Sequence, residues 1–240
     1  MTDVPVLRAA IAGLIGFAAG QEQVLLAAAP LGEPGNPSCW GALPLIAHNT
    51  EFRRQQVQRL RAIRSGQAPP EFTEVDHRSE DLYAELSAQP ADAVSRDSWR
   101  VSGELIEEVG SVSQADLLEP GRNPWLRGRQ LWLQLIVRGF WHPAGHLGSY
   151  YLSHDQAARA VALAEQAAAT AAFLGAPDPA RGMASYNLAC AQAGAGLLDE
   201  AAATVAEAVA LNPDVRANAV RDADLAAVRE RGLLATLLSS

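Results

Sequence analysis

The chain has 240 residues, a formal net charge of −8, 49% hydrophobic and 19% charged side chains, enough length for one large or two small cores. Its acidic balance, with no basic run beyond Arg53-Arg54, weighs against a nucleic-acid partner. All nineteen basic residues are arginine, and with so much alanine this suggests a GC-rich bacterial genome. Cys39 and Cys190 lie far apart with no C-x-x-C, so the expectation is a reduced cytoplasmic protein with two inert thiols.

Residues 6–29 repeat apolar side chains at helical spacing, predicting a first helix that the Pro- and Gly-rich segment 30–37 ends. Its most apolar part, Ala9 to Gly20, covers about a dozen residues, short of the roughly 20 needed to cross a bilayer. With only Arg8 before it and Gln21-Glu22-Gln23 after it, this stretch reads as an amphipathic helix and not as a signal peptide. No membrane partner is expected. A second helix is expected from Trp40 to Ser65, ended by the segment from Gly66 to Pro70. Residues 76–118 predict a short helix, a longer one from Asp92 to Val109, and one more turn opened by Ser113 as its N-cap. Glu119 to Pro124 reads as a loop, after which a fourth main helix begins near Arg127 and runs on to His146. No segment alternates long enough for a strand, so the fold class is all-α.

His142 and His146 form an H-x-x-x-H pair on that last helix, one turn apart on the same face. His48 stands as a single imidazole in the apolar run from Trp40 to Asn49 and is the natural third ligand. Imidazole suits zinc, nickel, copper or iron, and three ligands leave coordination positions open for water or substrate. Pro143 lies inside the pair. It removes a backbone donor and crowds the carbonyl of Gly139, so a kink is expected, with Gly139 and Gly145 leaving room for backbone adjustment or a close ligand.

The His-bearing second helix led by Trp40, a third helix, and a fourth reading from Leu131 to His146 together resemble the DinB-like metal-binding four-helix bundles, over roughly residues 5–153. That superfamily includes the mycothiol- and bacillithiol-dependent enzymes. The resemblance implies a divalent metal, zinc or nickel, on His48, His142 and His146. Pro143 departs from the pattern.

From residue 155 the composition changes: positions 157–210 hold 23 alanines, which lets helices approach closely. Tyr186-Asn187-Leu188-Ala189-Cys190, Gly196, Asp199-Glu200-Ala201, Ala208 and Pro213 resemble one tetratricopeptide repeat, a helix-turn-helix of about 34 residues. Residues 155–174 look like the second helix of a degenerate preceding repeat, and residues 222–231 like a capping helix. The expected domains are therefore residues 1–153, the metal-binding bundle, and 154–240, a tetratricopeptide-like array that either recruits a protein partner or mediates self-association.

By resemblance, the leading expectation is a metal-dependent transferase or isomerase assisted by a low-molecular-weight thiol, acting on a small-molecule substrate, with metal-dependent hydrolysis second. The competing class is a non-enzymatic scaffold. No residue is assigned as a general base. Glu51 is a candidate to orient His48, and Arg53, Arg54, Tyr150 and Tyr151 are candidates to hold an anionic substrate or a thiol's carboxylate. Trp125, Trp132 and Trp141 read as core anchors, with Trp141 also a candidate pocket wall, and His77 and His154 read as surface residues.

Overall fold

The computed structural model describes residues 3–28, 39–72 and 80–235. Among them helices dominate and no strand forms, as an all-α chain requires. The 30–37 breaker and His77 lie outside the described residues. The chain divides into two compact units, Met1–Pro143 and Ala144–Ser240.

In the first unit, α1 (Val4–Ala28) turns Leu7, Ile11, Leu14, Ile15, Ala18 and Leu25 inward at helical spacing. By length and composition α1 is apolar enough to cross a membrane, with a mean hydropathy of 1.4 over its most apolar window. Val4 to Leu7 and Val24 to Ala28 extend the apolar stretch beyond the dozen residues counted from sequence. Glu22 sits on its inward face, wholly buried.

Helix α2 (Ala42–Arg64) begins two residues after Trp40, with Pro44 in its first turn, where no backbone N–H is needed. Arg61 and Arg64 occupy its last turn, and Gly66 in the left-handed region ends it, with the Gln67 N–H donating to the carbonyl of Ala62. The short α3 (Glu80–Ser87) leads into α4 (Ala91–Ser111), which packs along both α1 and α2. Arg54 pairs with Asp97, Arg61 with Glu104 and Glu108, and Arg64 with Glu108 across the α2–α4 seam. Each arginine is at least a third exposed or nearly so, and such pairs are worth about 0–1 kcal/mol. They fix register more than stability.

Ser113 caps α5 (Gln114–Leu118), accepting from the Asp116 N–H as its spacing predicts. The next long helix does not begin at Arg127. A 3-10 turn over Pro124–Leu126 runs into Arg127 and Gly128, both with positive φ, and α6 starts only at Leu131. Those two left-handed residues cannot continue a right-handed helix. Trp132 is buried in α6, its indole donating to Gln130.

Val137–Trp141 then forms a π-helical turn, and α7 (His142–Ser153) follows with no break in the chain's path. The boundary between the two compact units falls inside α7. Without an N–H on Pro143, the carbonyl of Gly139 loses its α-helical donor, and the Arg53 Nε–H donates to it instead, at 3.4 Å. Gly139 is needed for a second reason. A Cβ there would lie 2.7 Å from Cγ1 of Ile15 on α1.

Arg53 and Glu22 form a buried ion pair at 2.7 Å, both side chains at 0% exposure. Asn49 donates to the other oxygen of Glu22 at 3.0 Å, and Ser98 of α4 donates to the paired one at 2.8 Å. One carboxylate thus ties α1 to α2 and α4, and one guanidinium ties α2 to the π turn.

In the second unit, α9 (Asp178–Gly194) packs against both α8 (Ala157–Phe173) and α10 (Leu198–Leu211). Ala189, Ala201 and Ala208 have no solvent exposure, and a Cβ at Gly182 would meet the carbonyl of Ala208 at 2.8 Å, so small residues set how closely α9 and α10 approach. Gly196, at positive φ, makes the turn between them. Where a capping helix was expected, a 3-10 turn over Ala223–Leu225 leads into the short α12, preceded by α11 (Arg216–Ala219), with α12 at Ala226–Glu230. Asp222 caps that turn and accepts from the Tyr186 hydroxyl at 2.8 Å. Burial, then the charges of Asp222 and Asp224, push the Cys190 thiol well above its ordinary range.

Two outcomes follow from these contacts. Arg53→Leu strands a buried carboxylate and is expected to lower unfolding free energy by about 3–5 kcal/mol in urea titration, with Glu22→Leu/Arg53→Leu recovering most of the loss. Cys190 is expected to resist iodoacetamide in the native protein at pH 8 and to react once the chain is unfolded, read by peptide mass mapping. Rapid native labelling contradicts the buried environment.

Candidate metal centre

His48 lies in the second turn of α2, buried at 4% exposure. The ring of Trp40 packs edge-on against it at 5.2 Å between centroids, and Phe52, one turn further along α2, packs at 4.7 Å. Phe52 also contacts the ring of His142 at 4.8 Å, so a single phenyl ring braces two histidines from different segments. Tyr83 of α3 backs Trp40 at 6.0 Å. Trp40 and Phe52 thus set apolar surface against the His48 ring, which strengthens any charge interaction made beside it.

His142 is the first residue of α7, and its N–H donates to the carbonyl of Val137, five residues back. Its position therefore depends on the π turn. Such one-turn widenings recur at functional sites because they re-aim a side chain without ending the helix. The Nε2 atoms of His48 and His142 face each other at 3.4 Å. Two ligands sharing a tetrahedral zinc-sized ion at 2.0–2.1 Å are separated by about 3.3 Å, so this pair stands at the spacing of two coordination vertices.

His146 follows one turn later on the same continuous helix, which puts it on the face of His142. Each of the three residues offers a ring nitrogen, and these nitrogens all lie within 4.8 Å of one another. Bringing the widest pair to a shared ion takes side-chain rotation of about 1–2 Å, within reach of the half-buried His146. Three histidines thus lie close enough to bind a metal ion, and among the described residues the cluster holds neither a carboxylate nor a thiol.

The other candidates sort differently. Glu51 does not orient His48: it is half exposed and pairs with Arg54 at 3.0 Å. Arg53 is committed to Glu22 and Gly139 in the core and is closed to any substrate. Arg54 divides its guanidinium between Glu51 and Asp97. Asp97 is pulled below the usual carboxylate range because its bonds with Arg100 and Arg54 outweigh the opposing effect of burial. Tyr150 is buried, stacking on His154 at 4.0 Å, and the His154 Nδ1–H donates to the Tyr150 carbonyl at 2.8 Å. His154 is half-buried and held locally, not a bare surface residue. Trp132 is a core anchor, whereas Trp125 and Trp141 are only half-buried.

Two participants were not singled out from the sequence. Phe52 sits at i+4 from His48, a spacing that was readable. Arg138, on the π turn, lies over the Phe52 ring at 4.6 Å, and no local pattern announces it.

No family model matches the chain, no curated protein matches it in sequence, and no solved structure matches it in fold.

Proposed function

We propose that His48, His142 and His146 hold one divalent ion, zinc or nickel, and that the protein is a metal-dependent enzyme of the DinB-like kind working with a low-molecular-weight thiol. The observation that carries this reading is the facing pair of Nε2 atoms at 3.4 Å inside an aromatic wall, with a third imidazole one helical turn away. Three imidazoles fit zinc, nickel or copper better than magnesium or calcium, which prefer oxygen ligands. Bound there, such an ion supplies a Lewis acid that lowers the pKa of a coordinated thiol or water.

The chain's own residues supply the rest. All three candidate ligands are neutral, so the positive charge of the site is left to be met by an incoming anion. Trp40 and Phe52 exclude water around His48 and fix its ring. A metal-bound thiol needs only to lose its proton to become the nucleophile, and the resemblance to the mycothiol- and bacillithiol-dependent enzymes favours it over a hydrolytic water. That ranks thiol transfer or isomerisation above hydrolysis. The helical hairpin of α9 and α10 is, in this reading, one tetratricopeptide-like repeat with α8 and the residues after 211 as partial neighbours, serving a protein partner or self-association.

Protein purified without chelator is expected to carry about one divalent ion per chain by elemental analysis, and His48→Ala, His142→Ala and His146→Ala to lose it. His154→Ala, a half-buried histidine outside the cluster, is expected to keep it. Equal loss from His154→Ala contradicts the triad.

Cobalt-substituted protein is expected to develop a sulfur-to-metal charge-transfer band on titration with mercaptoethanol. A cobalt-loaded protein whose spectrum no thiol changes refutes thiol chemistry.

A further inference from the structure

Helix α1 is apolar on its outer side as well as on its core side. Val6, Ala9, Gly13, Gly16, Gly20 and Val24 recur at intervals of three and four residues and so share one stripe. None of the six is buried, and Val6 and Val24 at its two ends are about half exposed. No polar side chain interrupts the stripe. Arg8 donates to the carbonyl of Val112, Glu22 is buried against Arg53, and Gln23 exchanges hydrogen bonds with Ser95 of α4. A helix that meets solvent on one side ordinarily carries polar residues there, whereas one apolar all round is covered all round.

The apolar surface continues on α4. Gln23 and Ser95 mark the seam between the two helices, and Trp99, one turn on from Ser95, leaves 59% of its surface in solvent. Gly103 and Gly110, four and eleven residues further, fall on the face of Trp99. Glycine inside a helix is destabilising relative to alanine. Packing within the chain accounts for it at Gly139, Gly182 and Gly194, where a Cβ would collide with a neighbour. At Gly16, Gly20, Gly103 and Gly110 a Cβ would meet no described atom within 4 Å, so the bareness of these four positions serves no contact inside the described chain.

We propose that this α1–α4 face binds a second copy of the chain about a two-fold axis, with the two α1 helices antiparallel and the Trp99 indole of each copy seated over the glycines of the other. A two-fold interface must be complementary to itself, and this face carries both a projecting ring and hollows to receive one. Val6 and Val24 are equidistant from Ile15 in sequence, so antiparallel helices crossing there set each Val6 against the other copy's Val24, with the glycines between. Two helices side by side, each about 10 Å wide and about 30 Å long over this face, offer about 600 Å² per copy, about 1,200 Å² in all, the lower bound of a stable specific interface. The bordering charges are of both signs and paired among themselves, Asp92 with Arg96, and Arg100 with Asp97 and Glu104. That balance matches the polar rim of a protein interface, whereas a face lying in a membrane surface carries an excess of basic residues. The proposal owes nothing to the metal reading and puts self-association on the first unit.

The test is sedimentation velocity of the full-length protein across the micromolar range, where a dimer is expected. Gly16→Ala/Gly20→Ala and Trp99→Ala are each expected to weaken it at least about tenfold. The chain has room for both added methyls and gains helix propensity from them, so circular dichroism is expected to show that double variant at least as helical as the parent. Gly16→Cys, close to the two-fold axis, is expected to give a crosslinked dimer with a short bismaleimide, and the parent, with Cys39 and Cys190 alone, is expected to give none. A chain that stays monomeric across the range overturns the proposal, as does a dimer that both variants leave intact. Flotation of the monomer with phosphatidylcholine and phosphatidylglycerol vesicles, abolished by Trp99→Ala, overturns it too by making the face a membrane contact.

Discussion

The buried ion pair of Glu22 and Arg53 sets the positions on which the candidate site depends. Taking two charges wholly out of water costs several kcal/mol per ion, and the loss is met only when the remaining donors and acceptors are also satisfied. Here they nearly are. Asn49 and Ser98 complete Glu22, and Gly139 takes the Nε–H of Arg53, while Nη2 of Arg53 keeps no described partner. Oδ1 of Asn49, Oε1 of Gln56 and the Ser102 hydroxyl are likewise buried with no partner among the described residues. The network does more for specificity than for stability. It accepts one arrangement of α1, α2, α4 and the π turn, because a shift of any of them breaks a charged hydrogen bond.

Pro143 links that network to the histidines. By withholding an N–H from Gly139 it leaves a carbonyl for Arg53, and the same stretch of chain widens into a π turn that delivers His142 to His48. Gly139 serves both ends, since any side chain there collides with Ile15. The proline that looked like a defect in a metal-binding helix is thus part of what shapes it.

Much of this was legible in the sequence, and the reasons differ by residue. The all-α fold followed from apolar spacing and from breakers such as Gly66, which takes up a left-handed backbone at the end of α2. The histidine triad was legible because i and i+4 share a helix face whatever the tertiary context. Arg127 was misread as a helix start because a left-handed arginine has no sequence mark. Glu22 read only as part of the polar step of an amphipathic helix and Arg53 as a candidate to hold an anionic substrate for one shared reason: residue type does not say which charges face inward, and only a partner on another helix makes burial tolerable. Glu51 illustrates the converse. Its spacing from His48 was suitable, but Arg54 and solvent offered a better contact than the apolar wall.

The most direct test of the central claim is X-ray absorption at the metal edge of protein purified without chelator. The account predicts about three imidazole nitrogens at 2.0–2.1 Å from a single ion, with the remaining scatterers exchangeable on addition of thiol. An ion ligated by oxygen alone, or fewer than two imidazoles per metal, would contradict it.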